Sequence, residues 1–217
     1  MEKTDLNKYK TIVFDCDGVV LNSNKIKTNA FYEAARVYGH ESALALKDYH
    51  VKNGGVSRYQ KFQYFLTTIL GIEPEPEKLN QLLERFSREV KNNLLKCEIA
   101  EGLGELREKT KQSNWLIVSG GDQTELREVF SSRCLDEFFT GGIFGSPDTK
   151  ETILKREIAE GNIILPGLFI GDSKYDFEAS FEENMDFVFV SEWSEVECWE
   201  NWVNDMSLSH VRCVRDL

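Results

Sequence analysis

The sequence lacks a surplus of basic residues: 26 Lys and Arg stand against 37 Asp and Glu, for a net charge of −11. Nucleic-acid backbones and anionic membrane surfaces need clustered cations, so neither is expected as a main partner. Cysteine is sparse and unpatterned. Cys16, Cys97, Cys134, Cys198 and Cys213 are odd in number, widely spaced and contain no C-x-x-C pair, which argues against a disulfide framework or a zinc site and for buried thiols of a reducing compartment. No apolar run approaches membrane-spanning length, and residues 1–10 hold no apolar stretch of signal-peptide length, so a cytoplasmic location is the expectation. No low-complexity or repeated segment is present, and a hydrophobic fraction of 41% with 29% charged residues suits an ordinary globular chain. The acidic excess gathers at the C-terminal end, where 12 acidic residues face 3 basic ones from Asp172 onward.

Five short apolar runs read as strands: Thr11 to Phe14, Trp115 to Val118, Gly142 to Phe144, Leu168 to Ile170 and Phe187 to Val190. Helical patterns separate them, implying βαβ units and a parallel sheet whose functional crevice lies at the carboxyl ends of the strands. Small polar or acidic residues follow three runs at once: Asp15 with Asp17, Ser119, and Asp172. A strand sends residues i and i+2 to one side, so Asp15 and Asp17 can reach one point beyond the first strand. Two carboxylates that close require a cation or a shared proton. Taken alone, the same junction also suits an ordinary strand-to-turn transition.

About a hundred residues between the first and second runs show helical rather than strand periodicity. Ile26, Ala30, Ala34 and Val37 keep one stripe; Tyr59, Phe62, Leu66 and Ile69 keep another, stopped by Gly71; Leu79, Leu82, Leu83, Phe86, Val90 and Leu94 form a third after Pro74 and Pro76. A βαβ crossover needs one helix, so residues 23–97 read as an inserted helical domain and residues 1–22 with 98–217 as the α/β domain. Downstream, Asp122-Gln-Thr-Glu125 has the spacing of a helix N-cap with its box partner, Thr149 to Ala159 reads as a helix stopped by Gly161, and Trp193, Trp199 and Trp202 read as packing residues.

Asp15-Cys-Asp17-Gly18, Ser119-Gly120-Gly121, Lys150 and Gly171-Asp172-Ser173-Lys174-Tyr175-Asp176 occur in that order. Together they resemble the four motifs of the haloacid dehalogenase superfamily of aspartate-nucleophile phosphotransferases. The insert stands where the phosphoglycolate phosphatase and β-phosphoglucomutase branch carries a helical cap. The resemblance implies an α/β fold, a Rossmann-like doubly wound parallel sheet with an inserted α-helical cap. It implies Asp15 as nucleophile, Asp17 as proton shuttle, and Mg²⁺ held by Asp15, Asp172 and the Asp17 carbonyl, with Asp176 approaching the ion or orienting its waters. Ser119 and the backbone of Gly120 and Gly121 would bind phosphoryl oxygens, and Lys150 would neutralise phosphate and nucleophile. Asn22 departs from the pattern, since many relatives have a second aspartate there, and Cys16 fills the middle of the first motif.

The expected activity is hydrolysis of a small phosphate ester, a sugar phosphate or a phosphoglycolate-like acid. The alternatives are β-phosphoglucomutase-like transfer and a non-catalytic binding protein that keeps the fold. Residues His50 to Arg58 read as a loop leading into a helix. In it Lys52 and Arg58 are candidates for recognising a carboxylate, a second phosphate or hydroxyls, unless Gly54-Gly55 is only a turn and Arg58 a surface residue. Nothing in the sequence fixes the oligomeric state.

Overall fold

The computed structural model describes residues 5–217; residues 1–4, the start of the expected α/β domain, lie outside the described residues. Six parallel strands, β1 (Thr11–Phe14), β2 (Asn114–Asp122), β3 (Gly142–Ser146), β4 (Gly167–Gly171), β5 (Asp186–Val190) and β6 (Ser209–Val211), form one sheet in the order β3-β2-β1-β4-β5-β6. Strand order reverses at β1 and β4, which makes the space beyond their carboxyl ends the crevice of an open α/β sheet.

Both sheet faces are covered, which explains why the strands read as unbroken apolar runs. Ile12, Phe14, Ile117 and Ile170 point to one core with Leu106 of α5 (Leu103–Lys109) and Val129 of α6 (Gln123–Ser132). Val13, Leu116, Val118 and Phe169 point to the other, against Ile153 of α7 (Lys150–Ala159), Ala179 of α8 (Lys174–Glu182) and Val203 of α9 (Trp199–Asp205). Trp199 and Trp202 pack on this second core and Trp193 on the first.

Between β1 and α5 lie four helices, α1 (Asn24–Ala35), α2 (His40–Lys52), α3 (Arg58–Tyr64) and α4 (Pro76–Leu94), with a π-turn over Phe65–Ile69. The α4 stripe buries Leu82, Phe86, Val90 and Leu94 as its 3.6-residue period requires. Two expectations fail here. Val37 is 62% exposed, because α1 ends at Ala35 and the following 3₁₀ turn rotates residue 37 off the stripe. His50, Val51 and Lys52 are the last turn of α2 rather than a loop, and only residues 53–57 connect to α3.

The two crossings between sheet and insert are tied together. Leu21 and Ile99 form an antiparallel bridge, Asn22 N donates to the Glu98 carbonyl at 3.0 Å, Ala100 N donates to the Val20 carbonyl at 2.9 Å, and Asn22 Nδ2 reaches Glu98 Oε2 at 2.7 Å. Among the described residues no helix is long and apolar enough to cross a membrane.

Candidate active site

Asp15 follows β1 directly; its amide donates to the Ile170 carbonyl of β4 at 2.9 Å, and its own Oδ1 accepts from Cys16 N at 2.7 Å. Asp172 follows β4, and Lys150 opens α7. Carboxylate oxygens of Asp15, Asp172 and Asp176 all lie within 4.8 Å of one another, and all three residues are buried. Lys150 Nζ is 3.1 Å from Asp15 Oδ1 and also bonds Asp176 Oδ1.

Asp176 is the most fully engaged of the three. Its Oδ2 accepts from Asp172 N, Ser173 N and Ser173 Oγ while Ser173 Oγ caps the start of α8, so it closes a capping box as well as holding Lys150. Asp172 Oδ2 accepts only from Asn24 Nδ2, at 2.7 Å. Gly18 makes this approach feasible: its φ is +78°, and a Cβ there would stand 2.1 Å from Asp172 Oδ2.

One lysine among three buried carboxylates leaves negative charge uncompensated. Burial pushes the Asp15 carboxyl up to about 7 despite Lys150, and burial with the neighbouring Asp15 and Asp176 charges holds Asp172 well above the ordinary carboxylate range. An all-oxygen donor set with this charge deficit fits a hard divalent cation such as Mg²⁺. Asp15 and Asp172 have oxygens free to hold it, whereas Asp176 has both oxygens occupied and is suited to orienting Lys150 and the loop.

Asp17 has a different setting. Its carboxylate pairs with Lys27 Nζ of α1 and accepts from Ser23 Oγ at 2.5 Å. Burial would raise its pKa, but the Lys27 charge and these hydrogen bonds outweigh that and hold it below the ordinary value.

Ser119, Gly120 and Gly121 sit where β2 and β3 lose register: Val118 faces Phe144 and Asp122 faces Ser146, so β2 spends two extra residues. The bulge takes their amides out of the regular ladder, while Ser119 Oγ accepts from Gly121 N at 3.1 Å. The 53–57 connection rests on this bulge, and a Cβ on Gly120 would stand 2.0 Å from the Gly55 carbonyl oxygen.

A cavity of about 50 Å³ joins these residues to the insert, with Lys27, His50, Arg58 and Lys61 on the far wall. Arg58 is buried and engaged, its guanidinium 2.5 Å from Glu125 Oε1, 3.0 Å from Ser87 Oγ and over the Phe86 ring. Glu125 therefore serves Arg58 instead of closing a capping box with Asp122, although Asp122 Oδ1 does cap α6. Lys52 is not in this cavity: it is exposed and borders a separate groove with Ser173 and Tyr175. Sequence reasoning passed over Lys27 and Lys61 and assigned no ligand contact to Asn24 or His50. The available signal was a lysine in register with an apolar stripe, Lys27 with Phe31 and Ala34, Lys61 with Phe62 and Phe65.

Structural likeness extends over nearly the whole chain. A predicted phosphatase from Clostridium acetobutylicum aligns with a TM-score of 0.73 at 16% identity, covering 95% of this chain and 94% of that one. A β-phosphoglucomutase from Clostridium difficile aligns at 0.71 and 16% identity, covering 96% and 93%. A predicted phosphoglycolate phosphatase from Haemophilus somnus aligns at 0.64 and 16% identity, covering 84% and 85%. At such identities the likeness establishes the fold alone. No curated protein sequence matches. Residues 12–190 match the model of the haloacid dehalogenase-like hydrolases, and with the doubly wound sheet and the four motifs at its carboxyl edge, the chain belongs to that family.

Proposed function

We propose that the protein is a Mg²⁺-dependent phosphatase that hydrolyses a small phosphorylated metabolite through an aspartyl-phosphate on Asp15. The observation that carries this reading is the convergence of Asp15, Asp172 and Lys150 beyond the strands where the sheet order reverses. Residues 23–97 act as a cap and the remainder as the catalytic domain. A carboxylate attacking a phosphate dianion needs positive charge at the phosphoryl oxygens. Lys150 supplies one such charge; a divalent cation, which Asp15, Asp172 and the Asp17 carbonyl would hold, would supply the rest.

In the first half-reaction an Asp15 oxygen bonds phosphorus as the bond to the leaving alcohol breaks, and Asp17 delivers a proton to that alcohol. In the second, Asp17 takes a proton from the water that attacks phosphorus, releasing phosphate and restoring the Asp15 carboxylate. The ion pair with Lys27 favours the form of Asp17 needed for the second step, so protonation for the first requires that pair to loosen. The Ser119 hydroxyl and bulge amides cradle the phosphoryl oxygens, and closure of the insert over the cavity excludes water.

Purified protein with Mg²⁺ and a panel of phosphate esters tests the proposal. Release of phosphate that is lost in Asp15→Asn supports hydrolysis; isomer interconversion without phosphate release would instead identify a mutase, and no turnover across the panel a binding protein.

A further inference from the structure

Three cations line the wall of the cavity contributed by the insert, and two have carboxylate partners: Lys27 with Asp17 and Arg58 with Glu125. Lys61 has none among the described residues. It is 1% exposed, and its Nζ makes a single hydrogen bond, to His50 Nδ1 at 2.7 Å, with the Phe31 ring centroid 5.4 Å away. An ammonium carries three N–H donors, so two are left for the cavity. His50 cannot supply the missing anion, because its imidazole accepts the bond as a neutral ring. A buried ammonium without an anion gives up its proton readily, and an anion bound beside it in the cavity restores the charge.

We propose that Lys61, oriented by His50, anchors a second anionic group on the substrate, so that the enzyme selects phosphate monoesters whose leaving alcohol carries a carboxylate or a further phosphate. This rests on the phosphatase reading and adds the substrate class. Lys61 and the carboxylate cluster border the same small cavity, which a short molecule with an anion at each end would span. Arg58 has its hydrogen-bonding edge committed to Glu125 and Ser87, and Lys52 lies outside the cavity, so neither offers the same free donors.

The test compares kcat/KM in Mg²⁺ for 2-phosphoglycolate, propane-1,3-diol bisphosphate and ethyl phosphate, in wild type, Lys61→Met and Lys61→Gln. The wild type should prefer at least one doubly anionic ester over ethyl phosphate, and both variants should reduce that preference by about 100-fold, the scale of a hydrogen bond between charged groups. The ester preferred more strongly shows whether carboxylate or phosphate is the natural group. Melting curves report whether each variant is folded. An unchanged preference ratio in the folded variants, or a wild type without preference, overturns the assignment. If no ester is hydrolysed, the phosphatase reading fails separately, and calorimetric binding of 2-phosphoglycolate decides: tenfold weaker binding to Lys61→Met upholds the anchor, and equal binding overturns it.

Discussion

The ammonium of Lys27 and the carboxylate of Asp17 form a largely buried ion pair that joins the first helix of the insert to the loop after β1. Removing the lysine leaves an anion in a site that water reaches poorly. Lys27→Met is expected to lower unfolding free energy by about 3 kcal/mol, as for other broken buried pairs, measured by urea denaturation. A loss below about 0.5 kcal/mol would mean that Asp17 finds water or another donor.

Lys150 holds two carboxylates at once. Lys150→Met should lower kcat at least about 100-fold, the effect of removing one preorganised charge at a phosphoryl oxygen, while Asp15→Asn should lower it by about 10⁴-fold or more. Single-turnover kinetics with a chromogenic ester check both, and near wild-type rates in either variant would contradict the assigned roles.

Metal and pH are linked through Asp15. With its carboxyl raised to about 7, the metal-free folded state holds a proton between pH 3.8 and 7 that the unfolded chain has lost, so this group's contribution to stability falls as pH rises through that window. A cation competes with that proton. Mg²⁺ should therefore raise Tm more at pH 8 than at pH 5.5, by about 5–10 °C at a hundredfold excess over Kd, and Asp172→Asn should diminish the shift. EDTA should abolish activity and Mg²⁺ restore it; full activity in chelator would refute the metal role.

Burial, reinforced by the nearby Lys27 charge, lowers Lys61 to about 7. Between pH 7 and 10.5 the unfolded chain binds the proton that folded Lys61 lacks, so stability from this group rises with pH across that interval and is flat below it. The charged and titratable groups around it, Lys27, Asp17, Lys150, His50 and Glu195, remain in Lys61→Met. That variant should lose the rise between pH 7 and 10 in denaturant-derived stability; an unaltered slope would show that Lys61 stays protonated throughout.

Gly120 packs directly beneath the Gly55 carbonyl, with no room for a Cβ. Gly120→Ala should raise KM and lower kcat/KM more than tenfold, because its methyl group cannot coexist with the Gly55 carbonyl in the seated arrangement. Circular dichroism should confirm an intact fold; unchanged kinetics would show that the contact is dispensable.

Much of this was legible because buried parallel strands leave uninterrupted apolar runs and because Asp15, Asp17, Ser119 and Asp172 follow them directly. β6 escaped notice: Ser209-His210-Val211 is three residues long, at the sheet edge, and mostly polar. Lys27 and Lys61 were passed over because lysine is rarely buried. Arg58 was recognised as a candidate, but its partner Glu125 stands 67 residues away, a separation at which local pattern carries no information about pairing.

The double crossing at Leu21 and Ile99 has a mechanical consequence. Two chain segments joined by backbone hydrogen bonds resist sliding past each other yet bend readily across their width, which would suit a hinge at the proposed cap boundary. If the proposed cap opens at the Gly55 end by bending there, α1 would rotate with it, and Asn24 and Lys27 would leave Asp172 and Asp17 in the same stroke.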